Sequence, residues 1–319
     1  MATYSDVMID TSRLNPNLDI THADTLRIVS LSEGLLHHLG YPVDMSTMEC
    51  YTLEKWYNKP VNTSIDKTTL NEHICISLIQ VWNDTFQHIP FDTFSKITAI
   101  EMIWKTNPDA MLIVNNKLQA KMCSAFWNIS ADKFIVVPPN VSYITKHLYY
   151  PNFISSSGTH TKMGSSGYGI LHRFVAPPEA CDTVVYLSRQ GLPKRIMSNE
   201  DDVYLTTLLN EIVSKHSLSM ITINNPKTPD EVIPIMRRAK LVVSIHGGAV
   251  SNIIHSNKST HVLEIISDVG LKERPCFYYL TNSLGLKYHQ HIPTHFDFGG
   301  YVTLNKITIE NDIIHALES

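Results

Sequence analysis

Leu241-Val242-Val243-Ser244-Ile245-His246-Gly247-Gly248-Ala249-Val250-Ser251-Asn252 is the stretch whose reading decides the fold. A β-branched apolar run stops at a His-Gly-Gly turn, and a short helical stretch follows. Further on, His261-Val262-Leu263-Glu264-Ile265-Ile266 is a second strand-like run with one carboxylate in an apolar row. A strand, a glycine turn and a helix in succession aim backbone N–H groups at one place. Together with the positive end of the helix dipole they hold an anion, most often a phosphate. An acidic residue on the following strand suits a pair of ribose hydroxyls. The unit reads as half of a nucleotide site.

Upstream of it the pattern is regular. Residues 183–188 read as a strand. Ser198 caps a helix, with Asp201 three residues later as a variant capping box. Leu205, Leu208, Leu209, Ile212 and Val213 share one face of that helix. Residues 218–223 form the next strand. Thr228-Pro229-Asp230-Glu231 sets a cap, a first-turn proline and a capping-box glutamate in order, and Pro234 bends the short helix that follows. The order is βαβαβαβ with continuous apolar strands, which predicts a parallel sheet covered on both faces: a Rossmann-like domain.

The first half is less regular. Strands are expected at 26–31, 74–81, 111–114 and 134–137. Helices are expected at 91–105, entered through Pro90, and at 117–127. This is a second α/β unit. A serine- and glycine-rich stretch, 155–169, reads as a loop or linker, and Ala176-Pro177-Pro178 leads into the second half. The expected boundary gives a domain 1–175 and a domain 176–319. The last ~25 residues are expected to pack back on the first domain, and two such domains leave a cleft for a ligand.

Three further clusters carry chemistry. Ser188-Arg189, followed by Lys194-Arg195, stands at a strand's carboxyl end, where a guanidinium can clamp a diphosphate; the alternative is a solvated basic loop. His88-Ile89-Pro90-Phe91-Asp92 spaces an imidazole and a carboxylate four residues apart at a helix start. It suits a general base with its orienter, or an aspartate that only stabilises the helix N-terminus. His289-Gln290-His291 and His295-Phe296-Asp297 have the spacing of metal ligands but no carboxylate cluster beside them, so no metal ligands are assigned.

Composition removes other classes. The 319 residues are 43% hydrophobic, enough for two ordinary domains. The net charge of −4 provides no basic field for nucleic acid or membrane surfaces. Five scattered cysteines without C-x-x-C read as reduced thiols. No signal peptide or membrane-spanning run is readable, so a cytoplasmic chain without a membrane anchor is expected. A lipase-like use of His246-Gly247-Gly248 as an oxyanion hole is excluded, because no G-x-S-x-G elbow follows. Gly164 to Gly169 runs G-x-x-G-x-G with no strand before it, which disfavours a dinucleotide site.

Taken together, these segments resemble glycosyltransferase family 61, which includes plant β-1,2-xylosyltransferases and EGF-domain O-GlcNAc transferases. His88 through Asp92 looks like the family's His-x-x-x-Asp/Glu segment. Lys146-His147-Leu148-Tyr149-Tyr150-Pro151 is similar to its interdomain approach. Ser188-Arg189, Arg195 and Asn199-Glu200 are similar to its Ser-Arg…Arg…Asn-Glu signature. His246-Gly247-Gly248-Ala249 through Val250, Ser251 and Asn252, with Glu264, looks like its His-Gly-Ala-Gly…Asn…Glu signature, with Gly-Gly-Ala in place of Gly-Ala-Gly. The resemblance spans residues 70 to 270, and the first 65 residues have no counterpart in it.

The resemblance implies a GT-B fold: two Rossmann-like domains, the donor on the second and the acceptor on the first. It implies inverting transfer of a sugar, xylose or N-acetylglucosamine, from a UDP-sugar to a hydroxyl of a glycan or glycoprotein. No Asp-x-Asp motif is present, so no metal or other cofactor beyond the UDP-sugar co-substrate is expected. Arg189, Arg195 and the helix start after His246 would carry the diphosphate charge, and Glu264 would hold the ribose. Asp92 would be the base, with His88 as its orienter. The competing reading is a catalytically inactive subunit that binds nucleotide or carbohydrate.

Overall fold

The structure is a computed structural model that describes residues 3–7, 26–36, 42–44, 67–79, 86, 88–137, 141–151, 175, 181–224 and 228–319. The chain forms two compact units divided between Ser157 and Gly158. The expected boundary near residue 175 and the glycine- and serine-rich stretch before it fall, Val175 apart, outside the described residues.

The first unit is built on one mixed sheet. Its strands are β1 (Thr3–Val7), β2 (Leu26–Leu36), β3 (Pro42–Asp44), β4 (Lys67–Ser77), β5 (Met111–Val114), β6 (Phe134–Val136) and β7 (Ser142–Pro151). They stand in the order β1-β2-β7-β4-β5-β6, with β3 on β2. Strands β7, β4, β5 and β6 pair parallel with one another. Numbered along the chain, these four stand 4-1-2-3. The expected α/β sheet is therefore present but extended, since β2 joins β7 antiparallel and β1 and β3 join β2 antiparallel. The stretch 146–151, expected as an approach between domains, lies inside β7 in the interior of this sheet.

The helices of this unit follow local chemistry. Asn116 caps Lys117–Trp127, its side chain accepting from the Gln119 N–H at 2.7 Å. Asn128 ends that helix in the left-handed region at φ 55°, where a short polar side chain tolerates the strain. The helix expected from residue 91 begins earlier: Ile89–Thr93 is one π turn with Pro90 near its start, then a 3₁₀ turn, then Ile97–Thr106 as α-helix. Ile97, Ala99, Ile100 and Ile103 bury its inner face.

The second unit's sheet comprises β8 (Thr183–Leu187), β10 (Ser219–Ile223), β11 (Ala239–Ile245), β12 (His261–Ile265) and β13 (Lys287–His291), in the order β10-β8-β11-β12-β13. Every pairing is parallel. A small sheet of β9 (Ile196–Met197), β14 (His295–Phe296) and β15 (Tyr301–Thr303) belongs to the same unit. Ser198 caps Asn199–Lys215 through its hydroxyl, 3.1 Å from the Asp201 N–H. The five apolar residues expected on one face of that helix are all buried. Thr228 and Glu231 form the capping box of Pro229–Arg237, with Pro234 inside the helix.

The C-terminal helix belongs to the second unit. The helix Ile309–Glu318 completes the second unit's own core, burying Ile309, Ile313, Ala316 and Leu317 with Leu263, Ile265 and Val243. Its apolar face is matched by the sheet beneath it, so this burial fixes it there. His291 anchors it, with Nδ1 2.6 Å from an Asp312 carboxylate oxygen.

Buried imidazoles are expected to make this unit acid-labile. Burial pushes His255 down to about 3 and His261 down to about 4 from an ordinary 6.5. Both are kept neutral in the folded chain, while the unfolded chain protonates them below about 6.5. Their stabilising contribution is complete above pH 6.5 and is lost as pH falls toward 4. Each pH step below 6.5 costs about 1.4 kcal/mol for a group that only the unfolded chain protonates, so His255 alone loses a few kcal/mol by pH 4. His261, less strongly lowered, adds less. Urea midpoints should therefore fall steadily as pH is lowered from 6.5 to 4.5; constant midpoints across that range would contradict the account.

Candidate active site

Along the chain the strands of the second sheet run 2-1-3-4-5. The order reverses between β8 and β11, and such a reversal opens a crevice at the strands' carboxyl ends. The residues that leave those two strands are Ser188-Arg189 and His246-Gly247. The topology therefore brings together two of the clusters that the sequence singles out separately.

Arg189 lies against Gly247. A Cβ built on Gly247 would sit 2.0 Å from Arg189 Nη1. Gly247 has an extended backbone, φ 167° and ψ 170°, so the close approach and not the dihedral requires glycine here. Arg189 is 7% exposed. It donates through Nε to the carbonyls of Lys194 and Arg195 (3.3 and 3.1 Å) and through Nη2 to Lys194 (2.9 Å). Nη1 makes no hydrogen bond among the described residues. The arginine thus folds its own loop around itself and leaves its Nη1 edge beside Gly247.

Arg195 takes the left-handed conformation, φ 53°, and its N–H donates to the Gly300 carbonyl at 2.6 Å. Its Nε is buried without a hydrogen-bond partner among the described residues. Burial, and then the charge of Arg195, pushes Arg189 down to about 10; burial, and then Arg274, lowers Arg195. Among the described residues no carboxylate pairs with these two guanidiniums. Arg274 stacks on Phe298, 4.1 Å from its ring centroid. Three cations that disfavour one another, two of them desolvated, form a site whose electrostatics an anion would relieve.

The run after Gly247 departs from expectation in one respect. Gly248–His255 winds as a 3₁₀ helix. The Ser251 hydroxyl donates to the Gly248 carbonyl (2.6 Å) and the Asn252 amide to the Ala249 carbonyl (2.9 Å). These side chains satisfy their own short helix. Val250, Ser251 and Asn252 are buried, while Gly248 and Ala249 are half-buried. The part of the run open to a ligand is therefore its first turn.

Glu264, expected to hold the ribose, is bound up within the fold. It is 1% exposed, and both carboxylate oxygens are engaged: Oε1 with His246 Nδ1 at 2.6 Å and Oε2 with the Tyr288 hydroxyl, also at 2.6 Å. The register explains this row. Glu264 pairs with Ser244 on one side and Gln290 on the other, so His246 and Tyr288 are its diagonal same-face neighbours on adjacent strands. Phe277 and Phe298 meet the His246 ring edge-on at 5.1 and 5.5 Å. His246 is thus fixed at Nδ1 and walled by aromatic rings, and its Nε2 has no hydrogen bond among the described residues.

In the first unit His88 opens the helical run and is half-buried; the Asp92 backbone lies in the π turn, and its side chain is outside the described residues. Two of the C-terminal histidines go to packing: His289 stacks on His261 (3.1 Å between Nε2 and Nδ1), and His291 binds Asp312. Sequence reading missed Tyr288, Arg274 and Phe298. Tyr288 sits in a polar strand, and the stack of Arg274 on Phe298 joins residues far apart in the chain, so neither has a local signal. Among the described residues no helix is long and apolar enough to cross a membrane.

No curated protein matches the chain. The model of the Glycosyltransferase 61 family matches residues 86–263, from the turn before His88 to β12. That span is more than half the sequence and contains the His88 helix, the Arg189 loop and the His246 turn, so the chain belongs to glycosyltransferase family 61.

Proposed function

We propose that this glycosyltransferase moves a sugar, xylose or N-acetylglucosamine, from a UDP-sugar to a hydroxyl of a glycan or glycoprotein, with inversion at the anomeric carbon. The observation that carries the diphosphate half of this reading is the buried Arg189 beside Arg195 at the switch point, with no carboxylate partner among the described residues. Leaving-group charge develops on the departing diphosphate, and preorganised donors there lower the barrier. Arg189 Nη1, the Arg195 guanidinium and the N–H groups opening the 3₁₀ turn are such donors. His246, held at Nδ1 by Glu264, presents Nε2 as a further polar contact.

In the displacement, the acceptor oxygen bonds to the anomeric carbon as the bond from that carbon to the diphosphate oxygen breaks. The electron pair leaves with the diphosphate, and the acceptor's proton passes to a base. By family resemblance Asp92 is that base and His88 its orienter. Proton removal and leaving-group charge are thus assigned to separate residues, each testable alone.

A thermal-shift panel tests the reading. Ligand at a hundredfold excess over its Kd stabilises by about 2.7 kcal/mol, enough to raise Tm by several degrees. UDP and one UDP-sugar should shift Tm, GDP should not, and the anomeric configuration of the product should be inverted by NMR. An absence of any shift with nucleotides would overturn the proposal. Binding without donor hydrolysis or transfer would favour the inactive-subunit reading.

A further inference from the structure

The carboxyl edge of β12 opens on a groove of about 500 Å³ whose lining includes Ser267, Glu273, His295, Phe296, Asp297 and Phe298. Two aromatic rings stand at right angles in it, Phe296 and Phe298, with centroids 5.1 Å apart. Carboxylates, an imidazole and a hydroxyl stand around them. Apolar faces next to strong hydrogen-bond acceptors suit a ring that has C–H faces and hydroxyl edges. That is the chemistry of a sugar ring.

Phe298 links the groove to the arginine cluster. It lines the groove, meets His246 edge-on at 5.5 Å, and carries the Arg274 guanidinium 4.1 Å from its centroid. Arg274 is in turn close enough to lower Arg195. A ligand that fills both places is a hydroxylated ring joined to an anion. Asp297 lines the groove and is exposed; its Oδ1 accepts from the Gly299 N–H at 2.8 Å, and its Oδ2 makes no hydrogen bond among the described residues. Glu264, sealed on both oxygens, leaves the hydroxyl-accepting task open.

We infer that this groove is the ribose subsite for a nucleoside diphosphate, with Asp297 accepting from a ribose hydroxyl and Phe298 covering the ring. The inference rests on the anion reading of Arg189 and Arg195 and extends it to residues beyond the span matched by the family.

Calorimetry on the full chain, with UDP, 2′,3′-dideoxy-UDP and inorganic pyrophosphate as probes, tests it. UDP contains no transferred sugar, so a diol preference measured with it reports the ribose alone. The wild-type chain should prefer UDP over the dideoxy compound by about tenfold, as expected for a hydrogen bond to a charged acceptor. Asp297→Asn and Asp297→Ala should each reduce that preference below about threefold, with pyrophosphate affinity and Tm unchanged. Retention of the full preference in both variants would overturn the groove assignment while the anion site stood. So would a wild-type chain that binds both nucleotides equally. Failure of UDP and pyrophosphate alike to bind the wild-type chain would instead overturn the anion reading, and this inference with it.

Discussion

Arg189→Ala is expected to abolish measurable UDP binding. The substitution acts twice. It removes a desolvated cation whose Nη1 edge lies against Gly247 at the switch point. It also releases the carbonyls of Lys194 and Arg195 that the same guanidinium holds, and so loosens the loop that positions Arg195. A charge-assisted hydrogen bond contributes about 1.5–3 kcal/mol, and a second disturbed cation brings the loss to roughly a hundredfold or more in Kd. Arg189→Lys should rescue little, because one ammonium cannot serve the loop carbonyls and an anion in fork geometry. Gly247→Ala should act in the same direction, since its Cβ would stand 2.0 Å from Nη1 and displace it. Calorimetric titration with UDP, with Tm as the folding control, reads all three. Wild-type affinity in a folded Arg189→Ala chain would remove the arginine from the donor site.

Much of the second unit is legible from sequence because local and tertiary signals agree there. Strands β8, β11 and β12 are buried on both faces, so they stand out as largely apolar runs. Ser198 and Thr228 announce their helices through caps that the structure contains. Legibility ends where burial is replaced by pairing. Lys287-Tyr288-His289-Gln290-His291 is a sheet strand with hardly an apolar residue, because hydrogen bonds and ring stacking rather than greasy burial hold much of its surface. Glu264 is visible in the sequence as a carboxylate in an apolar row, but two explanations fit such a residue. Strand register selects between them: only the alignment of β11, β12 and β13 puts His246 and Tyr288 diagonally beside it. The 3₁₀ winding after Gly248 is likewise hidden, since Ser251 and Asn252 satisfy carbonyls three residues back in a way that composition alone does not announce. In the first unit the antiparallel strands β1, β2 and β3 have no regular period, and the sheet's mixed character follows from pairings over long sequence separations.

The site divides between what the topology joins and what family resemblance supplies. The sequence places Arg189 and His246 at the ends of separate strands, and the 2-1-3-4-5 order makes those ends neighbours. For His88 and Asp92 the local evidence is the helix start itself. Pro90 occupies its first turn, and the winding there is π before it becomes α. Single π turns recur at functional sites, where they shift the side-chain spacing that an α-helix would impose. This gives the His88–Asp92 segment a backbone feature that an ordinary helix N-terminus lacks, and it motivates separating a structural role of Asp92 from a chemical one.

Asp92→Asn is expected to leave UDP affinity and Tm at wild-type values and to lower turnover by about 10²–10⁴-fold, the usual contribution of a positioned base. The amide keeps the size and hydrogen-bonding reach of the carboxylate but cannot accept the acceptor's proton. A residue that only supported the helix N-terminus would behave differently: losing the negative charge there costs about 0.3–1 kcal/mol of stability and leaves kcat alone. The pattern across readouts therefore decides the role. The proposed donor contacts, Arg189 and Gly247, lie in the second unit, so UDP titration of Asp92→Asn should match wild type. His88→Gln should reduce kcat less than Asp92→Asn does, since an orienter changes the base's aim rather than removing it. Full turnover in Asp92→Asn would move the base elsewhere, with His88 the next residue to test. A parallel fall in UDP affinity and Tm would instead mark Asp92 as part of the fold, because a group that acts only on the acceptor's proton has no route to either quantity.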